Sequence, residues 1–302
     1  MRCAWVGWAA AFALAAFLLA PLGWGGADGQ DLLGEVWINS SQDAYATAEL
    51  MLAEAREIWD SPAARWRVVS TSGGVTVEAR AVSRGDLARS RVLLTRAEGF
   101  VANASAKAVI KFLASPAGFA TIDPMSDPAD FEEHLERYAG WRGADGGGGA
   151  DGGGARRLEV AEARAPLPRP FAPREFVVLN AIDLGARVFA SKSVLHAARP
   201  GGSAFNAAGA PPPPGGKVRA LNTFAVTTEP ADGGCVVRAI NYAHLGGRFS
   251  TALMNWINCK AFVAPVYERL QQAMNERAAR VLGKILKERV DPKSDAERAF
   301  PL

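Results

Sequence analysis

The chain is short of the groups around which most enzymes and metalloproteins are built. Its three cysteines, Cys3, Cys235 and Cys259, have no paired spacing, so neither a disulfide framework nor a zinc site is indicated. Its three histidines, His134, His196 and His244, stand in no nucleophile–base motif. There is no G-x-S-x-G and no H-E-x-x-H, so no catalytic residue, metal or cofactor is expected. An excess of one charge is also lacking. The net charge is +3 with Lys and Arg scattered, which argues against a nucleic-acid partner. Absent, finally, is the alternation of strand and helix that marks a parallel α/β sheet.

What is present is apolar mass: 49% of 302 residues, enough to bury a full core in one large domain or two small ones. Cys3–Trp24 carries no charge, follows Arg2 and precedes Asp28, Asp31 and Glu35. It is either a cleaved signal or a retained membrane anchor; Pro21 and Gly23 would end a spanning helix early. Either way the domain faces the lumen or the exterior, or stays membrane-associated. Residues 1–27 are set apart on this basis, 28–42 as linker and 289–302 as tail. Residues 43–288 remain as one domain.

Within that domain Asp43–Trp59 has a helical apolar stripe (Tyr45, Ala48, Met51, Leu52, Ala55, Trp59) capped by Ser40 or Ser41. Trp66–Ser70 and Val75–Ala81 flank Gly73-Gly74, a hairpin signal. A strand at Arg91–Val101 and a helix at Ala106–Leu113, capped by Ser105, follow. Ala114–Asp130 reads as irregular with a helical turn. Phe131–Trp141 and Arg156–Arg164 read as paired strands around the Gly-rich stretch 143–155. The G-x-G-x-x-G at Gly147, Gly149 and Gly152 precedes a strand, not a helix, so it is not a nucleotide site. Phe176–Asp183, Val188–Leu195, Val218–Thr228 and Cys235–His244 complete the strands, with Pro-rich loops at 164–174 and 201–216. An amphipathic helix from Arg248 to Lys287 then spans ~60 Å. The expected fold is α+β, a bent antiparallel sheet gripping the carboxy-terminal helix.

These segments resemble the START domains, the lipid-transfer domains related to the steroidogenic acute regulatory protein. The resemblance spans Asp43–Leu282. It is carried by Pro170-Phe-Ala-Pro-Arg-Glu-Phe-Val-Val178, Val218-Arg-Ala220, Thr228-Glu-Pro230 and Cys235-Val-Val237, then Asn241-Tyr-Ala-His-Leu-Gly-Gly-Arg-Phe-Ser250 into Asn255-Trp256. It departs where the family has a Trp-Asp pair; here the chain reads Ala120-Thr-Ile-Asp123-Pro124. The resemblance implies a helix-grip fold around a tunnel for one lipid, whether phospholipid, sterol or ceramide. It also implies non-vesicular transfer of that lipid between membranes. A membrane-tethered sensor acting through a protein partner is the alternative, an enzyme on the same scaffold a more distant one.

The same resemblance and the alternation of the strands nominate the site. Asn180 shares a face with Val178 and Phe176, and Asn222 with Ala220 and Phe224. The two amides are the positions at which family members carry headgroup-contacting polar residues. Arg238 is a further polar candidate whose facing the pattern leaves open, as it does for Glu159 against Glu162. Leu253, Trp256 and Ile257 lie on the apolar arc of the helix. Pro265 inside that helix and Gly246–Gly247 before it are the expected hinges of a lid. Leu167 and Phe171, with Arg169, are placed at a membrane-facing mouth, where Arg174 is either a lipid contact or a structural partner. His244, where the last strand meets the lid turn, is read as a satisfied or exposed histidine. A monomer is expected.

Overall fold

In the computed structural model the described residues are 35–82, 91–122, 131–141, 156–165, 167, 171–198, 217–247 and 249–290. The run Cys3–Trp24, the Gly-rich stretch 143–155, Arg169, the Pro-rich stretch 201–216 and the tail beyond residue 290 lie outside them. Among the described residues no helix is long and apolar enough to cross a membrane.

One sheet organises the chain. Its strands are β1 (Val36–Ile38), β2 (Arg67–Ser72), β3 (Val75–Ala81), β4 (Leu93–Ala102), β5 (Phe131–Arg137), β6 (Arg156–Ala165), β7 (Arg174–Asp183), β8 (Val188–His196), β9 (Val218–Arg219), β10 (Leu221–Ala231) and β11 (Gly234–His244). The main path runs β2-β3-β4-β11-β10-β8-β7-β6-β5, and its pairings are antiparallel. Two short strands depart from the expectation. Val36–Ile38, within the stretch read as linker, pairs in parallel with the end of β8. The run read as one strand from Val218 breaks at Ala220, and its first two residues pair in parallel with β7. Gly73 and Gly74 both take positive φ in the β2–β3 turn, which an L side chain adopts only with strain.

Both faces of the sheet are buried. On one lies helix α1 (Ser41–Asp60), whose Ser40 hydroxyl accepts from the Asp43 amide at 3.1 Å. Met51 and Ile58 of α1 pack with Val177, Leu179, Ile240 and Tyr242. Arg96 closes the far end of α1. It donates to the Trp59 and Ser61 carbonyls at 2.9 and 3.2 Å, satisfying acceptors that a helix end leaves orphaned, and pairs with Glu78 at 2.7 Å. The opposite face carries α2 (Ala106–Leu113), α3 (Pro116–Ile122) and the carboxy-terminal helix.

That last helix is not uniform. It begins as α4 (Thr251–Trp256) behind the Ser250 cap, widens into a π-helical segment at Ile257–Phe262, and continues as α5 (Val263–Val290). Pro265 follows the π segment closely. A proline ring clashes with the carbonyl four residues back, and a widened preceding turn relieves that crowding. Beyond the proline, Tyr267 lies on Gly99 of β4, and its hydroxyl reaches the Ala97 and Val237 carbonyls, both at 3.0 Å. A turn later Gln271 bonds the Ala102 main chain through both its amide atoms, at 2.7 and 3.2 Å.

Gly99 is therefore a packing requirement. A Cβ there would sit 2.8 Å from Tyr267 Cδ1 and 3.0 Å from Val75 Cγ2. Gly99→Ala is expected to lower the unfolding free energy by about 1–3 kcal/mol, as overpacking does. Chemical denaturation checks it, and an unchanged midpoint would contradict the packing described.

Candidate functional site

Between the sheet and the helices α2, α3 and α4 with its π segment lies a cavity of about 1100 Å³, counting the part open to solvent. Within it, the space wide enough to seat the centre of a water molecule is about 140 Å³. The alternation of β7 turns Phe176, Val178, Asn180 and Ile182 into it, and that of β10 turns in Asn222 and Phe224. The residues between them, Val177, Leu179 and Leu221, are turned to α1 instead.

Three polar side chains on the cavity wall have no protein partner: Asn180, Ser191, which stands opposite it on β8, and Asn222. The Asn222 main-chain amide is engaged with Ser193 Oγ at 2.8 Å, leaving its side chain to the cavity. Asn241 and Asn258 differ. Asn241 Nδ2 donates to Asn258 Oδ1 at 3.3 Å, and Asn258 Nδ2 to the Ala243 carbonyl at 3.0 Å. Asn258 sits in the π segment, so this pair ties the widened helical turn to β11.

The cavity's cations are already matched. Arg157 faces Glu159 at 3.3 Å and donates to the Ala114 carbonyl at 2.5 Å; Arg164 meets Glu162 at 2.7 Å. Glu159 lies opposite Asn180 in the register, which settles its facing, and Arg137 is a second partner at 3.4 Å. Glu162 lies opposite Val177, on the α1 side, and is shared with Lys217 at 3.2 Å. Among the described lining residues there is no carboxylate and no imidazole.

Three expectations need correction. Arg238 is not in the cavity. It shares the α1 face with Ile240 and Tyr242, pairs with Glu98 at 2.8 Å and with Glu229, and stacks over Trp59 at 5.4 Å. Leu253 and Trp256 are half-buried but line nothing; of the helix residues named, only Ile257 does, joined by Asn258. Leu253 and Trp256 both lie in α4, ahead of the π segment, and the apolar arc read from the pattern is wider than the strip that meets the cavity. Asn241 and Asn258 were missed, as were Ser191 and Arg157. Asn241 follows from β11 once its register is known, whereas Asn258 has no signal short of the π segment itself.

At the end of the cavity lined by Ala165, Phe176 and Leu245, two segments meet. Phe171, 40% exposed, stacks on Phe249 with ring centroids 4.7 Å apart. Buried Arg174 lies over the Phe249 ring at 4.7 Å and donates to the Ala172 carbonyl at 2.5 Å. Of its two readings, the structural one fits this packing, and burial pushes the guanidinium pKa down. Leu167 is half-buried beside this loop in sequence. Gly246 and Gly247 take φ of 63° and 67°, and a Cβ on Gly246 would lie 2.5 Å from the Arg219 carbonyl oxygen. His244 Nδ1 accepts the Gly246 amide at 3.1 Å, so that nitrogen is unprotonated. Burial lowers the His244 pKa from 6.5. The folded protein thus binds fewer protons here than the unfolded chain. The stability this contributes is complete above pH 6.5 and is lost as pH falls below it. Loss of hydrogen-exchange protection at the Gly246 amide, measured relative to the intrinsic rate, is expected as pH falls below 6.5, and His244→Asn should flatten that dependence.

No family model matches the chain, and no curated protein matches it in sequence. Solved structures do. The human StAR-related lipid transfer protein 5 superposes with a TM-score of 0.54 at 18% identity, over 78% of this chain and 98% of that one. Human STARD10 gives 0.50 at 14% identity, over 82% and 83%. The Zhui aromatase/cyclase from Streptomyces sp. R1128 gives 0.35 at 15% identity, over 63% and 96%, a score that carries no functional weight. By its sheet, its carboxy-terminal helix and these superpositions, the chain folds as a START-like, helix-grip α+β domain.

Proposed function

We propose that the domain binds one lipid in this cavity and transfers it between membranes, with the proximal part of the carboxy-terminal helix as the moving wall. The observation that carries this reading is a mostly apolar cavity on which, among the described residues, Asn180, Ser191 and Asn222 hold polar side chains without protein partners, while its other polar groups are paired within the protein. Polar groups in an apolar wall lose free energy unless bonded, and a ligand hydroxyl, amide or ester would bond them. A phosphate would want a spare guanidinium, but Arg157 and Arg164 already face carboxylates. A sterol or ceramide therefore fits better than a phospholipid headgroup. The name of the superposable human StAR-related lipid transfer protein 5 supports the same class.

Since the space that can seat a water centre is about 140 Å³, a whole lipid enters only if the wall moves. The π segment and Pro265 separate a distal half held by Tyr267 and Gln271 from a proximal half, which makes the proximal half the lid. Phe171 and Leu167 form the edge that meets the membrane surface, with the Phe171–Phe249 stack parting there. Burying hydrocarbon gains about 25 cal/mol per Å², which keeps the loaded protein viable in water. No covalent step is needed. A tethered sensor is favoured instead if the uncharged run Cys3–Trp24 is retained, because a fixed anchor limits shuttling. Sequencing the mature amino terminus separates these readings.

Vesicles carrying labelled sterol, ceramide or phospholipid give the direct test, and no protein-stimulated transfer of any of them would sink the proposal. Asn180→Leu and Asn222→Leu should each weaken binding of a hydroxyl-bearing lipid by about 1–3 kcal/mol. The same changes should leave the ligand-free fold as stable or more so, since they remove an unpaired amide. A loss of fold stability without a loss of binding would assign these residues to the core.

A further inference from the structure

A second, smaller cavity adjoins the first, and three residues stand between them. Leu113, Phe224 and Asn241 line both. The rear cavity leaves about 410 Å³ free of atoms, but only about 20 Å³ of it can seat a water centre. Its roof is Val263, Val266 and Leu270 of α5. Its floor is made by two small residues, Ala97 and Ala239, directly opposite each other on β4 and β11. Larger residues at that pair would close the space.

The chemistry of the two chambers differs. In the front one Asn180, Ser191 and Asn222 are unpaired. In the rear one the polar groups are in use within the protein. The Thr95 hydroxyl donates to the Asn241 carbonyl at 2.9 Å, the Asn241 amide donates to Asn258, and the Tyr267 hydroxyl is bonded to sheet carbonyls. The rear chamber therefore offers hydrocarbon contacts. The dividing ring, Phe224, touches Phe119 and Phe189 edge-on, at 5.8 and 6.0 Å between centroids. Phe119 belongs to α3, the short helix that also walls the front chamber, so the ring leans on a neighbour outside the sheet.

We propose that the rear chamber is the subsite for the hydrocarbon end of the ligand, with Phe224 as the gate that a long chain displaces. This rests on the lipid-binding reading above and adds a determinant of chain length to it. A polar headgroup held at Asn180 and Asn222 would point its chain toward Phe224, two residues along the same face of β10 from Asn222. A short chain would end in front of the ring. A longer one would turn the ring and run over Ala97 and Ala239 beneath α5.

The test is binding of monoacylglycerols of graded chain length to the purified full chain, read by native mass spectrometry. In the unaltered protein, affinity should rise about fourfold per methylene until the rear chamber is filled. Ala239→Leu should end that rise at a shorter chain. Phe224→Ala should extend it to a longer one. Ala97→Val is a smaller plug with the same expected direction should Ala239→Leu fail to fold. Binding with one unchanged length profile across the variants overturns the gate alone. No binding at any length overturns the gate together with the lipid reading on which it rests.

Discussion

The contact between Tyr267 and Gly99 sets where this fold can be rigid and where it can give. A ring laid flat on a glycine, with its hydroxyl on the carbonyls of two adjacent strands, fixes α5 to the sheet at one place. Gln271 extends that attachment by completing the hydrogen bonds of Ala102 at the end of β4. Upstream of Pro265 the helix rests on different terms. Asn255 bonds the Leu93 amide and the Arg91 carbonyl, and Asn258 bonds Ala243 and Asn241. The larger cavity lies under that half, and the proline and π segment separate it from the anchored half.

The two faces of the sheet divide the polar residues by kind. The α1 face takes the charges. Arg80 and Arg96 stack on Trp66, Arg96 and Arg238 on Trp59, with Glu78, Glu98 and Glu229 as counter-ions. The cavity face takes amides and hydroxyls, and where it does carry a guanidinium a carboxylate stands next to it. Free charge in a cavity of low dielectric would favour an ionic ligand and repel a neutral one. Unpaired amides instead leave the cavity empty at modest cost and select ligands by hydrogen bonding. That division is a stronger argument for a neutral headgroup than the two asparagines taken alone.

How much of this was readable in the chain depended on how many faces of each element are buried. The β2–β3 hairpin and the Ser40 and Ser105 caps follow from local rules, whereas alternation gives only which residues share a face with Asn180 and Asn222, and the resemblance alone chooses that face as the inward one. Arg238 was not readable. Strand β11 is apolar on both sides, with Val237 and Ala239 under the carboxy-terminal helix and Ile240 and Tyr242 under α1, so alternation of polarity no longer distinguishes its faces. The strands at Val36–Ile38 and Val218–Arg219 are too short for any periodicity to register. Leu253 and Trp256 failed for a third reason: an apolar arc marks the buried side of a helix but not which of its residues meet a cavity.

The same features bound the energetics of opening. Lifting the proximal half would break the four side-chain hydrogen bonds of Asn255 and Asn258, each worth about 1 kcal/mol net, because water replaces the lost partners. It would also expose Met254, Ile257 and Cys259, while Leu253 and Trp256 are already partly solvated. Lifting the distal half would instead uncover Val263, Val266, Leu270 and Met274 and strip the Tyr267 hydroxyl of both acceptors. At about 1.5–3 kcal/mol for each large apolar side chain, that route is the more expensive of the two. On the proposed opening, a membrane surface or an entering chain would have to supply only the smaller of these two amounts. The hinge would then lie at the π segment and Pro265, and the rear chamber beneath the anchored half would keep its shape while the front one opened.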